Sequence, residues 1–182
     1  MTQTKKQRQM SLQDQSNDQQ VFSLDDHLFM QRAIALADKA QAINEIPVGA
    51  VVVHQGKIVG EGYNQSITLN DPSAHAEMIA IRQAGQALDN YRLLDCTLYV
   101  TLEPCPMCAG LLVHSRIKRI VYASPDLKTG SAGSVFDLVA NDKLNHIIET
   151  QFGLYQNQCS TMLSNFFKRR RKENKALKKV QN

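Results

Sequence analysis

The chain has 182 residues, of which 43% are hydrophobic and 21% charged, and its formal net charge is +4. This length suits one domain with a sizeable core, and no run approaches the roughly 18 consecutive apolar residues of a membrane span. The start of the chain also lacks the apolar region of a signal peptide, so we expect a cytoplasmic protein with no membrane partner. Its four cysteines do not indicate a disulfide framework, because the cytosol keeps thiols reduced.

Positive charge is concentrated at the C-terminal end of the chain. Residues 165–182 hold eight Lys or Arg against one Glu, whereas residues 25–164 carry a net negative charge. A basic tail on an acidic body suggests a polyanionic partner such as nucleic acid, although a solvated helix face has the same composition. The charge pattern alone leaves both interpretations open.

The N-terminal part predicts a polar arm, a helix and a hairpin. Residues 1–22 are rich in Gln, Ser, Asp and Asn, so we expect a disordered arm. Ser23 and Asp26 then have the spacing of a capping box, and apolar residues recur at helical intervals to about Ile43. The two β-branched runs that follow are separated by residues 55–56, Gln-Gly, which predicts a β-hairpin.

The central part predicts a strand, a helix and a second strand in succession. A turn at residues 71–73 opens a helix, and the strand TLYVTL follows it. A further helix is predicted from about Cys105 to His114, before the strand RIVYA and a glycine-rich loop. A helix between two strands implies a parallel pair with a right-handed crossover. Together with the hairpin, this predicts an α/β fold with a mixed central sheet flanked by helices, and a last helix from Gln156 to about Lys179.

Two short motifs carry the residues suited to metal chemistry. His75 and Glu77 lie in SAHAEM, and Cys105 and Cys108 lie in PCPMC. Cysteines three residues apart at the start of a helix share a face, where the helix dipole stabilises thiolates, so both can bind one metal ion. With His75 as the third ligand and water as the fourth, the motifs predict a catalytic zinc site, with one Zn²⁺ per subunit.

Glu77 separates a catalytic site from a structural one. If residues 75 and 77 both lie in a helix, their side chains point about 200° apart, so Glu77 does not join the same metal. A free carboxylate beside activated water is suited to act as general base and proton carrier. A structural zinc knuckle or a reducible dithiol explains an isolated C-x-x-C but requires no such residue. H-x-E followed by P-C-x-x-C is the known signature of zinc-dependent nucleobase deaminases.

The sequence resembles the bacterial tRNA-specific adenosine deaminases over about residues 25–175. The similar stretches are PVGAVVV, DPSAHAE, NYRL, TLYVTLEPCPMCAG, HSRIKRIVY, KTGSAGS and LSNFFKRRR. The resemblance implies a homodimer of a three-layer deaminase fold that converts the wobble adenosine of an arginine tRNA anticodon to inosine. It also implies that tRNA is the partner and that the target base is flipped out of its stack into the zinc pocket.

The resemblance further assigns contacts to the substrate. Asn64 corresponds to the residue that hydrogen-bonds the purine, and Asp126 to a contact with the nucleotide backbone. From the residues alone, an Asn after Gly-Tyr is often a turn residue and an Asp before a glycine loop is often a cap. RNA contacts in the tail are expected from Phe167, Arg169, Arg170 and Arg171.

Two rival functions remain open from the sequence. A deaminase of a free base or nucleoside, such as cytosine, guanine or cytidine, keeps the zinc chemistry but needs no basic tail. A non-catalytic zinc module that binds RNA needs the tail but has no use for Glu77. In each case we expect an arm over residues 1–22, a zinc domain over residues 23–167 and a basic helical tail over residues 168–182.

Overall fold

The structure is a computed structural model that describes residues 21–180. Almost all of the predicted polar arm therefore lies outside the described residues. The helices are α1 (Leu24–Ala42), α2 (Ser66–Leu69), α3 (Ala76–Ala87), α4 (Pro106–Ser115) and α5 (Gln156–Val180). The strands are β1 (Gly49–His54), β2 (Lys57–Tyr63), β3 (Thr97–Leu102), β4 (Arg119–Ser124) and β5 (Glu149–Phe152). In this part of the chain no helix is both long enough and apolar enough to cross a membrane.

The five strands form one mixed sheet in the order β2-β1-β3-β4-β5. Strand β1 is antiparallel to both β2 and β3, whereas β4 is parallel to β3 and to β5. The parallel pair β3 and β4 is connected through α4, as the sequence predicts. The predicted α/β fold with a mixed sheet is therefore confirmed.

The predicted hairpin is also present. Strands β1 and β2 pair up to His54 and Lys57, so residues 55–56 form the two-residue turn. Gln55 and Gly56 have φ values of 49° and 73°, and positive φ at both central positions is the mark of a type I′ turn. This turn matches the right-handed twist of the two strands and sets their register as far as Val53, beyond which an irregularity shifts the pairing.

The sheet separates two apolar cores, because side chains alternate between its faces along each strand. Val52 and Val100 face the core that includes α3 and α4. Val51 and Tyr99 face the core that includes α1 and Cys159 of α5. The molecule is thus a three-layer arrangement of helices, sheet and helices.

Helix α3 lies unusually close to β2 because two strand positions lack a side chain. A Cβ at Gly60 would collide with the carbonyl oxygen of Ala80, and a Cβ at Gly62 would collide with that of Ala76. Both glycines therefore permit backbone-to-backbone approach of helix and strand. The approach sets the position of the first turn of α3, where the candidate site begins.

The sequence prediction missed two elements. Strand β5 is only four residues long, and its sequence ETQF has one β-branched residue and no run of apolar side chains. It is added to the sheet by parallel pairing with β4, a long-range contact that local patterns do not show. Helix α2 spans one turn and has no side-chain cap, so it also lacked a sequence signal.

A buried carboxylate connects α1 to the start of the parallel strands. Ser23 and Asp26 form the predicted capping box of α1. Asp26, which is 3% exposed, also accepts hydrogen bonds of 2.7 Å from the Tyr99 hydroxyl and from the Arg119 guanidinium. Burial opposes ionisation of Asp26, but the hydrogen bonds from Arg119, Tyr99 and Ser23 outweigh it and hold its pKa well below the usual range.

Replacing Asp26 with Asn should lower the free energy of unfolding at pH 7 by about 3 kcal/mol, since it leaves a largely buried Arg119 without its anion. Because the folded-state pKa of Asp26 lies below its unfolded-state value of about 3.9, this stabilisation is complete above that value and disappears as the pH falls towards the folded-state pKa. Urea unfolding at several pH values measures the difference. We expect the gap between wild type and variant to narrow below about pH 4, and a gap independent of pH would contradict the assignment.

Candidate metal centre and its pocket

Three side chains that are distant in the sequence meet at one edge of the sheet. The ligand atoms of His75, Cys105 and Cys108 all lie within 4.8 Å of one another. The Nδ1 atom of His75 is 3.6 Å from the Sγ atom of each cysteine. Among residues 21–180 these three form the single cluster of His, Cys, Asp or Glu side chains with this geometry.

The spacing of these atoms fits a tetrahedral zinc ion. Zinc binds nitrogen at about 2.0 Å and thiolate sulfur at about 2.3 Å, so in tetrahedral geometry the nitrogen and each sulfur are about 3.6 Å apart. The observed nitrogen-to-sulfur distances of 3.6 Å match this value. The donor set of one imidazole and two thiols is also one that zinc prefers, and three protein ligands leave a position for water.

Two helix N-termini bring the ligands together. His75 is the N-cap of α3 with extended backbone angles of φ −78° and ψ 154°, and Cys105 is the N-cap of α4. His75 therefore lies outside the helix, so the helical-angle argument that separated it from Glu77 is wrong. Glu77, in the first turn of α3, is nevertheless absent from the ligand cluster.

The two cysteines differ in the direction in which their surroundings shift the pKa. Hydrogen bonds with Cys108 and His75 outweigh burial and lower the pKa of Cys105, which favours its thiolate form. The hydrogen bond with Cys105, burial and the nearby Glu77 raise the pKa of Cys108, which keeps its proton. A cation at the centre removes that proton, so metal binding releases it.

Glu77 is a buried carboxyl group beside the cluster. It is 4% exposed, lies in the first turn of α3 and contacts the Cys108 thiol. Burial raises the pKa of Glu77 to about 7, a value at which a carboxyl group both accepts and releases protons in neutral solution.

The cluster opens into a pocket of about 420 Å³, a volume in the range of sites for small ligands. The pocket is lined by residues 46, 48 and 64 beside β1 and β2, residues 75 and 77 at the start of α3, residues 102, 103 and 105 between β3 and α4, the loop at residues 124–129, and α5. From α5 come Ser160, Leu163 and Phe167. The sequence prediction missed Ser160 and Leu163, although their spacing from Phe167 places all three on one helical face.

Asn64 lies in the pocket wall and is 7% exposed. Its Oδ1 atom accepts a 2.9 Å hydrogen bond from the backbone N–H of Ala76, the first residue of α3. The side chain therefore also satisfies one of the free N–H groups at the helix start. Because the amide oxygen is engaged in this way, the Nδ2 group is the part of Asn64 that remains to donate to a ligand.

Asp126 lies at the pocket rim, but its carboxylate bonds within its own loop. Oδ1 accepts from the backbone N–H of Lys128 at 2.8 Å, and Oδ2 accepts from the hydroxyl of Thr129 at 2.7 Å. These are the contacts of a loop cap. They fix the turn through which residues 126–129 line the pocket.

The residues expected to bind RNA have different surroundings. Phe167 lines the pocket and is 42% exposed. Arg169 donates a 3.1 Å hydrogen bond to Asn44 and lies over the ring of Phe166, and Arg170 pairs with Glu173. Arg171 is exposed and has no ion pair or hydrogen bond with any described residue. Of the three arginines, Arg171 is thus the one that is not engaged by the protein.

Comparison with known proteins identifies the family. A family model described as the cytidine and deoxycytidylate deaminase zinc-binding region matches residues 23–124. The chain belongs to this deaminase family. It is 53% identical over 151 residues to a tRNA-specific adenosine deaminase of Haemophilus influenzae, covering 82% of this chain and 87% of that protein.

Solved structures agree with the family and the fold. One structure comes from work on A-to-I editing by tRNA:A34 deaminases at the wobble position of transfer RNA. It aligns with this chain at a TM-score of 0.72 and 37% identity, and the alignment covers 74% of this chain and 98% of the other. A guanine deaminase of Bacillus subtilis has a TM-score of 0.53 and 44% identity over 60% of this chain and 69% of its own. The zinc cofactor predicted for this deaminase is confirmed by the family model together with the ligand cluster.

Metal content tests the three ligands. The wild-type deaminase should hold one zinc ion per chain, and replacing Cys105 or Cys108 with Ala should abolish zinc binding, because two donors do not complete the site. The matched control is Cys96→Ala, since Cys96 is as buried as Cys108 but is not in the cluster. Elemental analysis of the purified variants measures the zinc, and full occupancy in either ligand variant would refute the assignment.

Proposed function

We propose that this deaminase hydrolyses the 6-amino group of adenosine in tRNA to give inosine and ammonia, and that its target is the wobble adenosine of an arginine tRNA. The observation that carries the proposal is the buried Glu77 beside the cluster of His75, Cys105 and Cys108, at the base of a pocket that the basic helix α5 helps to line. A pocket of about 420 Å³ is large enough for one flipped base.

We propose His75, Cys105 and Cys108 as the zinc ligands. When bound, the zinc ion supplies a Lewis acid that makes water acidic enough to react at neutral pH. Two thiolates neutralise the formal charge of the cation, so a protein base is still needed to take the proton from the attacking water. Glu77 is the carboxyl group placed for that step.

We propose that Glu77 carries protons in three stages. It takes a proton from water as the oxygen attacks C6, and it delivers a proton to the ring nitrogen N1. It then takes the remaining proton from the hydroxyl on C6 and passes it to the 6-amino group, which leaves as ammonia when the C–N bond breaks and the C=O bond of inosine forms. The pKa of about 7 suits a group that must be a base first and an acid afterwards.

Asn64 is proposed to recognise the base. Its amide oxygen is engaged by the N–H of Ala76, so it presents the Nδ2 donor to the pocket. The ring nitrogens of a purine are acceptors and are suitable partners for that donor. Asp126 is proposed to lie beside the nucleotide backbone. Its carboxylate bonds to Lys128 and Thr129, so it stabilises the turn at the pocket rim and is not free to bind the substrate.

The RNA-binding surface is proposed to follow one face of α5. At 100° per residue, the pocket-lining face of this helix continues into its exposed basic part. The residues on this face are Ser160, Leu163, Phe167, Arg171, Lys175 and Lys178. Arg169 bonds to Asn44 and is proposed to orient the helix, whereas Arg170 pairs with Glu173 of the same helix, and both are proposed to contribute less directly to RNA binding.

The organisation of the chain follows from this proposal. We propose that residues 23–167 form the zinc deaminase domain and that residues 168–182 form the basic tail, although α5 crosses this boundary without a break. We also propose that the enzyme is a cytoplasmic homodimer, as the family resemblance implies for the dimer. Sedimentation of the zinc-loaded protein measures the oligomeric state directly.

A substrate panel tests the reaction. We expect inosine from an unmodified arginine tRNA transcript and little ammonia from free adenosine, cytidine or guanine. Glu77→Gln should retain zinc and RNA binding but lose about 10²-fold or more in turnover, because the proton carrier is removed. Glu61→Gln is the matched control, since Glu61 pairs with Arg32 and does not line the pocket. Preferential deamination of guanine would instead support the free-base function.

Charge reversal tests the proposed RNA face. Reversing Arg171, Lys175 and Lys178 to Glu should weaken tRNA binding at least about ten-fold and make the dependence of log affinity on log salt shallower, because fewer counterions are released. Reversal of Lys168, Lys172 and Lys179 changes the charge equally but on the neighbouring side of the helix, so it should have a smaller effect. Equal effects of the two triple variants would indicate general attraction without a defined face.

A further inference from the structure

A second buried carboxylate lies next to the metal ligands, outside the chemistry described so far. Glu103 follows β3 directly, precedes Cys105 by two residues and is 2% exposed. No Lys or Arg side chain in the described part of the chain forms an ion pair with it. A buried carboxylate without a cation must be satisfied by hydrogen bonds.

Three backbone N–H groups of one loop satisfy Glu103. Its Oε2 atom accepts from Asp126 at 2.9 Å, and its Oε1 atom accepts from Ala132 at 2.9 Å and from Ser134 at 3.0 Å. The loop therefore wraps around a single carboxylate. A Cβ at Gly130 would overlap that carboxylate, so glycine is required where the loop backbone crosses it.

The same loop forms one wall of the substrate pocket. Residues 124–129 line the pocket, and the loop is also joined to the segment before Cys105 by a 2.8 Å hydrogen bond from the N–H of Ser131 to the carbonyl of Pro104. Glu103 thus binds the loop that forms the pocket wall, and it precedes the proposed metal ligand Cys105 by two residues. No other described side chain bonds to both ends of this loop.

We propose that Glu103 is a positioning residue that sets the distance between the pocket wall at residues 124–129 and the zinc ligands, and thereby the fit of the substrate base. A carboxylate suits this role because both of its oxygens accept hydrogen bonds. Glutamine has one accepting oxygen and one donating NH₂ group, so it satisfies Ala132 and Ser134 or Asp126, but not all three. Glu103→Gln should therefore release the Asp126 end of the loop, since turning the oxygen the other way loses two bonds.

The matched control for Glu103→Gln is Asp26→Asn. Both replace a buried carboxylate with its amide, and both should lower stability, but Asp26 bonds to Ser23, Tyr99 and Arg119 and does not line the pocket. A change shared by the two variants reports general destabilisation. Because Glu103 itself lines the pocket, a change in KM confined to Glu103→Gln reports the loop only when exchange of the Asp126 amide changes with it.

Two readouts test the inference, and only the second rests on the proposed function. Hydrogen exchange of the Asp126 amide should be at least about ten-fold faster in zinc-loaded Glu103→Gln than in zinc-loaded Asp26→Asn or wild type, because its acceptor is lost. The KM for the arginine tRNA transcript should rise about ten-fold with kcat changed less than about three-fold, because a displaced wall weakens substrate binding more than the proton transfer at Glu77.

The outcomes distinguish the role of Glu103 in binding the loop from the proposed deamination reaction. Unchanged exchange at Asp126 would overturn the anchoring role whatever the substrate is. Faster exchange with an unchanged KM would overturn the positioning role, and loss of zinc from Glu103→Gln would make the residue a support of the metal site instead. If wild type does not deaminate tRNA, the proposed function fails while the exchange measurement still decides the anchor.

Discussion

The candidate metal site depends on two helix N-termini, those of α3 and α4, which lie next to each other. Helices α3 and α4 each begin at a proposed zinc ligand, and neither start has a side-chain cap of its own. The partial positive charge at a helix start stabilises an anion there, which is what a thiolate ligand requires. The fold brings the two starts together, because α3 lies against β2 through glycine contacts and α4 follows β3 directly.

Two buried glutamates near this centre show how the environment determines a role. Glu77 is buried, and burial outweighs its hydrogen bond with Cys108 and the charge of His75 and raises its pKa to about 7. Both oxygens of Glu103 are occupied by backbone N–H groups, which hold a loop in place. The side chains are chemically identical, and the difference arises from what each one contacts.

Local patterns predicted what depends on neighbours in the sequence. The capping box at Ser23, the two-residue hairpin turn and the helix after Pro104 were all visible, because short spacings place their residues together. The proposed metal ligands were visible as a combined motif, although His75 lies 30 residues from Cys105. Contacts between distant segments had no such signal. Strand β5, the pocket-lining Ser160 and Leu163, and the loop held by Glu103 depend on tertiary packing, which composition and periodicity do not record.

Helix α5 is continuous from Gln156 to Val180, so the residues that line the pocket and the basic residues beyond them belong to one stiff rod. With a rise of about 1.5 Å per residue, Phe167 at the pocket and Lys178 near the end of the helix are about 16 Å apart along its axis. A ligand that contacts both Phe167 and Lys178 must therefore span this fixed distance. On the proposed function, a free nucleoside is small enough to contact only the pocket, whereas a folded loop of nucleic acid is long enough to contact the pocket and the basic end of the helix together.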